Sequence, residues 1–375
     1  MTTYIELFGL MVLLMLPFLY ETSHIFRYYF KFLIYYGLVS FNSIVLIPAF
    51  MCRPCDVRNL LWASTFCHRI TTLIGLRWEL RGKEHLEKDR ACIIVANHQS
   101  SLDVLGMFNI WHIMDKCTVV AKRELFYAWP FGLAAWLAGL IFIDRVRGEK
   151  ARDTLNQVNS KIKKQKIKLW VFPEGTRRNT GDIHPFKKGA FHMAIDEQIP
   201  IMPVVFSSYC SFLNDKKKIL NAGNIILTTL PPISTEGLTK DDLPELMEKV
   251  HKIMQETFKQ TSNEVLQRYA ANAIIKPKNS DIETTPVKQT IANTPTTLLT
   301  GSADVLSNSA TKATNSLSCD LNSLKTSCSD TSQAEDIVNN TQTNATTSTA
   351  AEGEEEQAVT DFKDPVITKT QALVH

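Results

Sequence analysis

The chain has 375 residues, of which 45% are hydrophobic and 21% are charged, and its formal net charge is +3. That composition excludes a chain that is disordered throughout and predicts one large folded domain with additional segments. Residues 276–375 carry 7 basic and 13 acidic side chains, so the rest of the chain has a net charge of +9. A basic body suits an anionic membrane surface or an anionic substrate. Zinc-finger spacing and interleaved aromatic and basic residues are both lacking, so no nucleic-acid partner is predicted.

Two apolar segments, residues 8–20 and 30–51, lie at the N-terminus. The second is longer than the roughly 20 residues that a helix needs to cross a bilayer. Residues 1–7 contain Glu6 and no basic residue, unlike the start of a secretory signal peptide. We therefore expect residues 1–55 to be a retained membrane anchor made of two helices.

The residues that flank the second apolar segment indicate its environment and its orientation. Tyr28 and Phe50 lie near its two ends. Aromatic residues at such positions favour a membrane span over the alternative of a buried core helix. Arg53, Arg58 and Arg69 follow the segment, and this positive charge places the following domain on the cytosolic side.

Residues 70–272 alternate between short β-branched runs and helical patterns, and we expect them to form the catalytic domain. Strands that alternate with helices predict an α/β fold with a mostly parallel central sheet flanked by helices. Thr239 and Asp242 have the spacing of a capping box at the start of the last helix. The predicted strands are 91–96, 117–121, 140–144, 167–172, 201–206 and 224–230, and the predicted helices are 102–112, 129–138, 149–164, 188–198 and 240–271.

The C-terminal segment, residues 276–375, has a different composition. Ser, Thr and Asn dominate it, and Phe362 is its only aromatic residue. Such a segment buries too little apolar area to offset its conformational entropy, so we expect a disordered tail.

The first candidate functional residue is His98, just beyond the strand predicted at 91–96. Ligands of open α/β sheets bind beyond the C-terminal ends of the strands. Ser101 is expected to cap the next helix, which places Asp103 in its first turn. A strand that turns into a helix can bring the side chain at i+5 back over the ring at i. The Asp103 carboxylate can then accept a hydrogen bond from one imidazole nitrogen and leave the other as a general base.

Three chemical roles for His98 can be compared from the sequence. A serine triad would use Ser100 or Ser101, but the chain contains no G-x-S-x-G elbow. A metal site would need more ligands than His98 and Asp103, and no H-E-x-x-H or paired-histidine spacing supplies them. The remaining catalytic role is a dyad that deprotonates an external hydroxyl. On spacing alone, a structural histidine that caps a turn stays open as the alternative.

A second polar cluster follows the strand predicted at 167–172, at the same edge of the expected sheet. A glycine there allows close approach of a ligand, a hydroxyl can donate to it, and a guanidinium suits phosphate geometry. A solvated basic loop is the alternative interpretation. The candidate phosphate-binding residues are Glu174, Gly175, Thr176 and Arg177, with Arg145, after the strand at 140–144, as a further candidate or a surface ion-pair partner.

Four sequence blocks resemble those of the glycerolipid acyltransferases and occur in that family's order. NHQSSLD at 97–103 resembles the H-x-x-x-x-D block, and FPEGTRR at 172–178 resembles the phosphate-binding block. IFIDR at 141–145 and IPIMPVV at 199–205 resemble the two lesser blocks. Further stretches similar to the eukaryotic 1-acylglycerol-3-phosphate acyltransferases are the apolar N-terminus, AKREL at 121–125 and PFKKGAF at 185–191.

The resemblance implies acyl transfer from acyl-CoA, a co-substrate, to the sn-2 hydroxyl of lysophosphatidic acid, giving phosphatidic acid. It implies that His98 takes the hydroxyl proton, that Asp103 orients His98, and that no metal or other cofactor takes part. Residues 174–177 would hold the phosphate, with Arg145 and Lys122 as further substrate-binding residues. The family likeness also implies the endoplasmic reticulum membrane as the location.

Other acceptors and other classes of function stay open at this point. Glycerol-3-phosphate or another lysophospholipid would use similar chemistry. A lipid hydrolase would activate water instead, and a non-catalytic membrane scaffold would recruit partners through the tail. Backbone N–H groups near Gln99 or Lys122 are candidate donors to the tetrahedral oxyanion.

Overall fold

The strands lie at the centre of the domain predicted at residues 70–272. The structure is a computed structural model that describes residues 2–143, 159 and 161–275, without the side chains of residues 2, 3, 5, 12, 13 and 272–275. The strands within these ranges are β1 (Leu76–Arg81), β2 (Cys92–Ala96), β3 (Cys117–Lys122), β4 (Ile141–Ile143), β5 (Lys168–Val171), β6 (Ile201–Phe206), β7 (Leu213–Asn214), β8 (Ile219–Leu220) and β9 (Gly223–Thr229).

Seven of these strands form one sheet in the order β1-β9-β6-β2-β5-β3-β4. Each neighbouring pair is parallel except β6 and β9, which are antiparallel. β7 and β8 form a separate antiparallel pair. The prediction of a mostly parallel sheet is therefore confirmed, and the C-terminal ends of β2, β3, β5 and β6 meet at one edge.

Helices flank the sheet, as predicted. The capping box of Thr239 and Asp242 is present, and a 3₁₀ turn at Lys240–Asp242 precedes the last helix. The helix predicted at 149–164 and the tail at 276–375 lie mainly or wholly outside the described residues. The helices with described bounds are α1 (Thr2–Thr22), α2 (His24–Met51), α3 (Asn59–Cys67), α4 (Ile70–Ile74), α5 (Lys83–Glu87), α6 (Asp103–Met114), α7 (Phe131–Leu137), α8 (Gly189–Glu197) and α9 (Leu243–Ile275).

The sheet separates two apolar clusters, and β2 contributes to both. Ile93 and Val95 belong to the cluster under α8 and α9, whereas Cys92, Ile94 and Ala96 belong to the cluster under α6 and α7. All five residues of β2 are buried, because successive side chains of a strand point to opposite faces and both faces are covered. The strand that precedes His98 is thus held at the centre of the domain.

β1 is absent from the predicted strands because its sequence, LRWELR, mixes charged and apolar residues. It lies at the edge of the sheet, where one side of the strand is open to solvent. Arg81 forms hydrogen bonds to both Glu79 and Glu264 at 2.7 Å, so its charge is paired on the surface. An edge strand of this kind carries little of the apolar signal on which strand prediction depends.

Among the described helices, α2 alone is long and apolar enough to cross a membrane. About 22% of its most apolar window is buried, so most of that surface is exposed. The buried side, which includes Tyr28, Tyr35, Leu46 and Phe50, packs into the core under α6 and α7. The expected anchor of two membrane helices is therefore not confirmed, since one candidate span lies among the described residues.

Candidate active site

The predicted site residues lie beyond the C-terminal ends of adjacent strands. His98 follows β2, Glu174 follows β5, and Lys122 is the last residue of β3. These three strands are neighbours in the sheet and run in the same direction, which brings the two motifs together. Arg145 lies outside the described residues.

His98 and Asp103 form a buried hydrogen-bonded pair. The Nδ1 atom of His98 lies 2.7 Å from Oδ2 of Asp103, and the Asp103 side chain is fully buried. The same oxygen accepts hydrogen bonds from the backbone N–H groups of Gln99 and Ser100 at 2.9 and 3.2 Å. A carboxylate held by three donors fixes the ring with its proton on Nδ1, which leaves Nε2 as the basic nitrogen.

The start of α6 differs from the prediction at Ser101. Leu102, and not Ser101, is the residue that precedes the helix, and no side chain caps it in the expected way. The Ser101 hydroxyl accepts a hydrogen bond from Tyr36 of α2 at 2.8 Å. Asp103 itself satisfies the backbone N–H groups ahead of the helix. Because the Gln99 N–H donates to Asp103, it is not a free oxyanion donor in this structure.

The His98 ring and backbone are fixed by residues that follow β5. The ring stacks on Phe172, with centroids 3.9 Å apart and planes 18° apart. The His98 N–H donates to Oε1 of Glu174 at 2.8 Å, and its carbonyl accepts from the Arg178 N–H at 2.9 Å. Stacking and hydrogen bonds from three residues therefore restrict both the plane and the position of the imidazole.

Glu174 joins the two motifs through backbone groups. Its carboxylate accepts from the N–H groups of His98 and His184, at 2.8 and 3.2 Å. Neither bond involves Arg177. Burial raises the pKa of Glu174 to about 7, although the two backbone donors act in the opposite direction.

The basic residues of the second motif lie at the surface of the same site. Gly175 has a φ of 76°, and a Cβ atom there would lie 2.9 Å from Nζ of Lys187, so the lysine crosses directly over the glycine. Thr176 and Arg177 are exposed beside it. Lys122 forms an ion pair with Glu124 at 3.0 Å, on the exposed surface.

A cavity of about 640 Å³ connects these groups to an apolar interior. We call His98, Lys122, Gly175, Thr176, Arg177 and Lys187 the polar end of the cavity. The apolar wall is formed by side chains from α2, α3, α6 and α7, which include Val39, Leu46, Phe50, Ala63, Met107, Phe108, Trp111, Ala134 and Ala135.

Sequence reasoning did not assign a site role to several residues that the fold brings to this edge. Lys187 is one of two lysines in PFKKGAF, and only the fold shows that it reaches the cavity. Asn97 exchanges two hydrogen bonds with the backbone of Phe206, at 3.0 and 2.8 Å. Gln99 donates to the carbonyl of Ser207 at 2.9 Å. For Asn97 and Gln99, the available signal in the sequence was the polar run NHQ directly after a buried strand.

Comparisons with known proteins identify a family and several similar chains. The acyltransferase family profile matches residues 77–207, which contain both motifs. The 1-acyl-sn-glycerol-3-phosphate acyltransferase alpha of Homo sapiens is 40% identical over 250 residues, covering 67% of this chain and 88% of that protein. The 1-acyl-sn-glycerol-3-phosphate acyltransferase of Saccharomyces cerevisiae is 41% identical over 219 residues, covering 57% of this chain and 71% of that protein.

A solved structure is also similar to the chain. It is the 1-acyl-sn-glycerophosphate (LPA) acyltransferase PlsC from Thermotoga maritima, with a TM-score of 0.47 and 22% identity over 62% of this chain and 95% of that chain. The assignment of the chain to a family rests on its sequence relatives. The chain therefore belongs to the acyltransferase family of enzymes, together with the eukaryotic 1-acyl-sn-glycerol-3-phosphate acyltransferases.

Proposed function

We propose that the protein transfers an acyl group from acyl-CoA to the sn-2 hydroxyl of lysophosphatidic acid and so forms phosphatidic acid. The observation that carries this proposal is that a single cavity joins the His98–Asp103 pair, a cluster of cations and an apolar wall. A base, a phosphate site and a place for acyl chains are the three parts that such a reaction requires. The names of the sequence relatives favour the same acceptor.

The proposed step is a direct transfer without an acyl-enzyme. Nε2 of His98 takes the proton of the acceptor hydroxyl as its oxygen attacks the thioester carbonyl. The carbon–oxygen bond forms, the carbon–sulfur bond breaks, and the leaving thiolate recovers the proton from the imidazolium. Asp103 stabilises that imidazolium through its 2.7 Å contact with Nδ1. The step requires no metal or other cofactor, since acyl-CoA is consumed as a co-substrate.

We assign the phosphate of the acceptor to the cations of the polar end. Arg177 can offer a planar pair of donors, and the Thr176 hydroxyl can donate beside it. Lys187 lies directly over Gly175, and Lys122 lines the same cavity. Glu174 supports the site indirectly, because it holds the backbones of both motifs.

The acyl chains are assigned to the apolar wall, and the surrounding surface suits access from a bilayer. Leu125 and Phe131 line the cavity, while Tyr127 and Trp129 between them are 69% and 74% exposed. Exposed aromatic residues of this kind favour the membrane interface. With α2 as a membrane helix and Arg53 after it, we propose that the site faces the cytosol. The family likeness favours the endoplasmic reticulum as the membrane.

Product analysis tests the proposal. The purified full chain in phospholipid vesicles is incubated with lysophosphatidic acid and acyl-CoA, and the lipids are separated and identified. We expect phosphatidic acid and free coenzyme A in equal amounts. Free fatty acid as the main product would indicate a hydrolase, and no turnover would favour a scaffold. Parallel reactions with glycerol-3-phosphate and other lysophospholipids measure kcat/KM for each acceptor, and a higher value for one of them would replace lysophosphatidic acid in the proposal.

A further inference from the structure

Two buried polar atoms beside His98 have no hydrogen-bond partner among the described residues. They are Oδ1 of Asp103, the carboxylate oxygen that does not contact His98, and the hydroxyl oxygen of Tyr209. Both side chains are fully buried. Buried polar atoms in folded proteins are nearly always hydrogen-bonded, and the exceptions occur where strain or function explains them.

Two hydrogen bonds through Gln99 connect the Tyr209 backbone to Asp103. The Tyr209 N–H donates to the Gln99 side chain at 3.1 Å, and the Gln99 N–H donates to Asp103 at 2.9 Å. The Tyr209 hydroxyl lies close enough to the Asp103 carboxylate to interact with it, but neither the hydroxyl nor Oδ1 of Asp103 has a hydrogen bond of regular geometry. Burial, and then the negative charge of Asp103, raise the pKa of Tyr209 well above its usual value, so the phenol is protonated and can donate.

We propose that Tyr209 is a positioning residue whose hydroxyl donates to Oδ1 of Asp103 during turnover and keeps Oδ2 directed at His98. Oδ2 is already occupied by three donors, so Oδ1 is the oxygen available to a fourth. A small shift of the Tyr209 side chain towards Asp103 would complete the bond. This inference rests on the proposed function, because it concerns the residue that orients the proposed base.

The proposal predicts how Tyr209 affects the acid–base behaviour of the pair. A hydrogen bond donated to a carboxylate reduces its basicity and so weakens its support for the imidazolium. Losing the bond should move the acid limb of the kcat/KM profile to higher pH. Removing the Tyr209 hydroxyl leaves the other ionisable groups that face the His98–Asp103 pair unchanged. They are Glu174, Tyr35, Arg177 and Lys187.

The test compares the parent chain with Tyr209→Phe, which removes only the hydroxyl. We expect kcat to fall about tenfold and KM for the acceptor to stay unchanged. A hydrogen bond to a charged group contributes a free energy that corresponds to a factor of at least about ten in rate. The acid limb should move to higher pH. Tyr28→Phe is the matched control, because it also removes a hydroxyl that bonds a carboxylate, Oδ1 of Asp215 at 2.7 Å, but lies outside the cavity.

A second variant keeps the test decisive if the phenylalanine chain does not fold. Incorporation of 3-fluorotyrosine at position 209 makes the hydroxyl a stronger donor and should move the acid limb to lower pH, opposite to Tyr209→Phe. An unchanged kcat and an unchanged pH profile in the folded variants would overturn the role of Tyr209. A failure of the proposed function is distinguished separately, because the parent chain itself would then form no phosphatidic acid from lysophosphatidic acid and acyl-CoA, whatever the behaviour of Tyr209.

Discussion

The polar end and the apolar wall of the cavity are held in place by different forces. At the polar end, the Asp103 carboxylate accepts three hydrogen bonds and Glu174 accepts two, all at 3.2 Å or less. The apolar wall consists of side chains from four helices that are positioned mainly by packing, with few hydrogen bonds between helices, such as that from the Asn59 side chain to the Leu137 carbonyl at 3.0 Å. Hydrogen bonds fix angles as well as distances, whereas apolar packing tolerates exchanges that conserve volume.

The difference teaches which property each region controls. The polar end fixes the imidazole and contains the proposed phosphate contacts, so changes there should alter the rate or the binding of the phosphate. The apolar wall fixes only a volume, so changes there should alter which acyl chain is accepted while the chemistry is retained. Variants that separate rate, binding and chain length therefore test whether the two regions are independent.

The largest expected effect on stability comes from Glu174. Its ordinary pKa of 4.5 is raised to about 7 in the folded chain. Below pH 4.5 the group is protonated in both states, and between pH 4.5 and 7 only the unfolded chain ionises. Stability should therefore fall by about 3 kcal/mol as pH rises through this window, and Glu174→Gln should remove that decline.

Thermal unfolding of the detergent-solubilised chain at pH 4.5 and at pH 8 measures this effect. Glu245→Gln is the matched control, because Glu245 is exposed in the first turn of α9. Equal pH slopes of Tm in the parent and in Glu174→Gln would show that the buried carboxyl does not titrate as described.

Arg177→Ala should weaken binding of the phosphorylated acceptor. Loss of a charge-assisted hydrogen bond costs about 2 kcal/mol, which corresponds to a rise in KM of roughly thirtyfold. Arg178→Ala is the matched control, because its guanidinium contacts His184 and is absent from the lining of the cavity. Steady-state kinetics at varied acceptor concentration measure KM and kcat for both variants. A fall in kcat with KM unchanged in Arg177→Ala would reject the phosphate role of Arg177.

The smallest expected effect is a change in chain preference from Ala63→Leu, in the apolar wall. The larger side chain should exclude about two methylene groups, each contributing about 0.8 kcal/mol of burial, and lower kcat/KM for the longest chains by about tenfold. A series of acyl-CoA donors of increasing length measures this selectivity, with Ala271→Leu on the exposed face of α9 as the control. An equal loss with every donor would show that the wall supports the chemistry as well as the chain.

The same contrast explains what could be predicted from the sequence. β2, the strand that precedes His98, is wholly buried. Its apolar run predicts a strand at 91–96, and the observed strand is Cys92–Ala96. The dyad was predictable because the i+5 spacing depends on one strand-to-helix turn. Contacts between distant segments were not predictable. Glu174 and His98 are 76 residues apart, and the sequence alone would equally allow Glu174 to bond Arg177.

Other features depend on packing that no local pattern encodes. Ser101 has a side chain that can cap a helix. Its hydroxyl instead accepts a hydrogen bond from Tyr36 of α2, which is 65 residues away. The wall of the cavity draws on helices from both sides of the expected domain boundary, including α3, which the sequence pattern does not predict. Lys187 reaches Gly175 only because both segments return to the same sheet edge.

The most direct test of the account is His98→Ala, assayed for phosphatidic acid formation in vesicles. We predict that kcat falls by roughly 10²- to 10⁴-fold while the thermal unfolding transition and membrane association stay as in the parent chain. His112→Ala, an exposed histidine on the same helix as Asp103, should retain full turnover. Turnover within tenfold of the parent in a folded His98→Ala chain would contradict the proposal that this imidazole deprotonates the lipid hydroxyl.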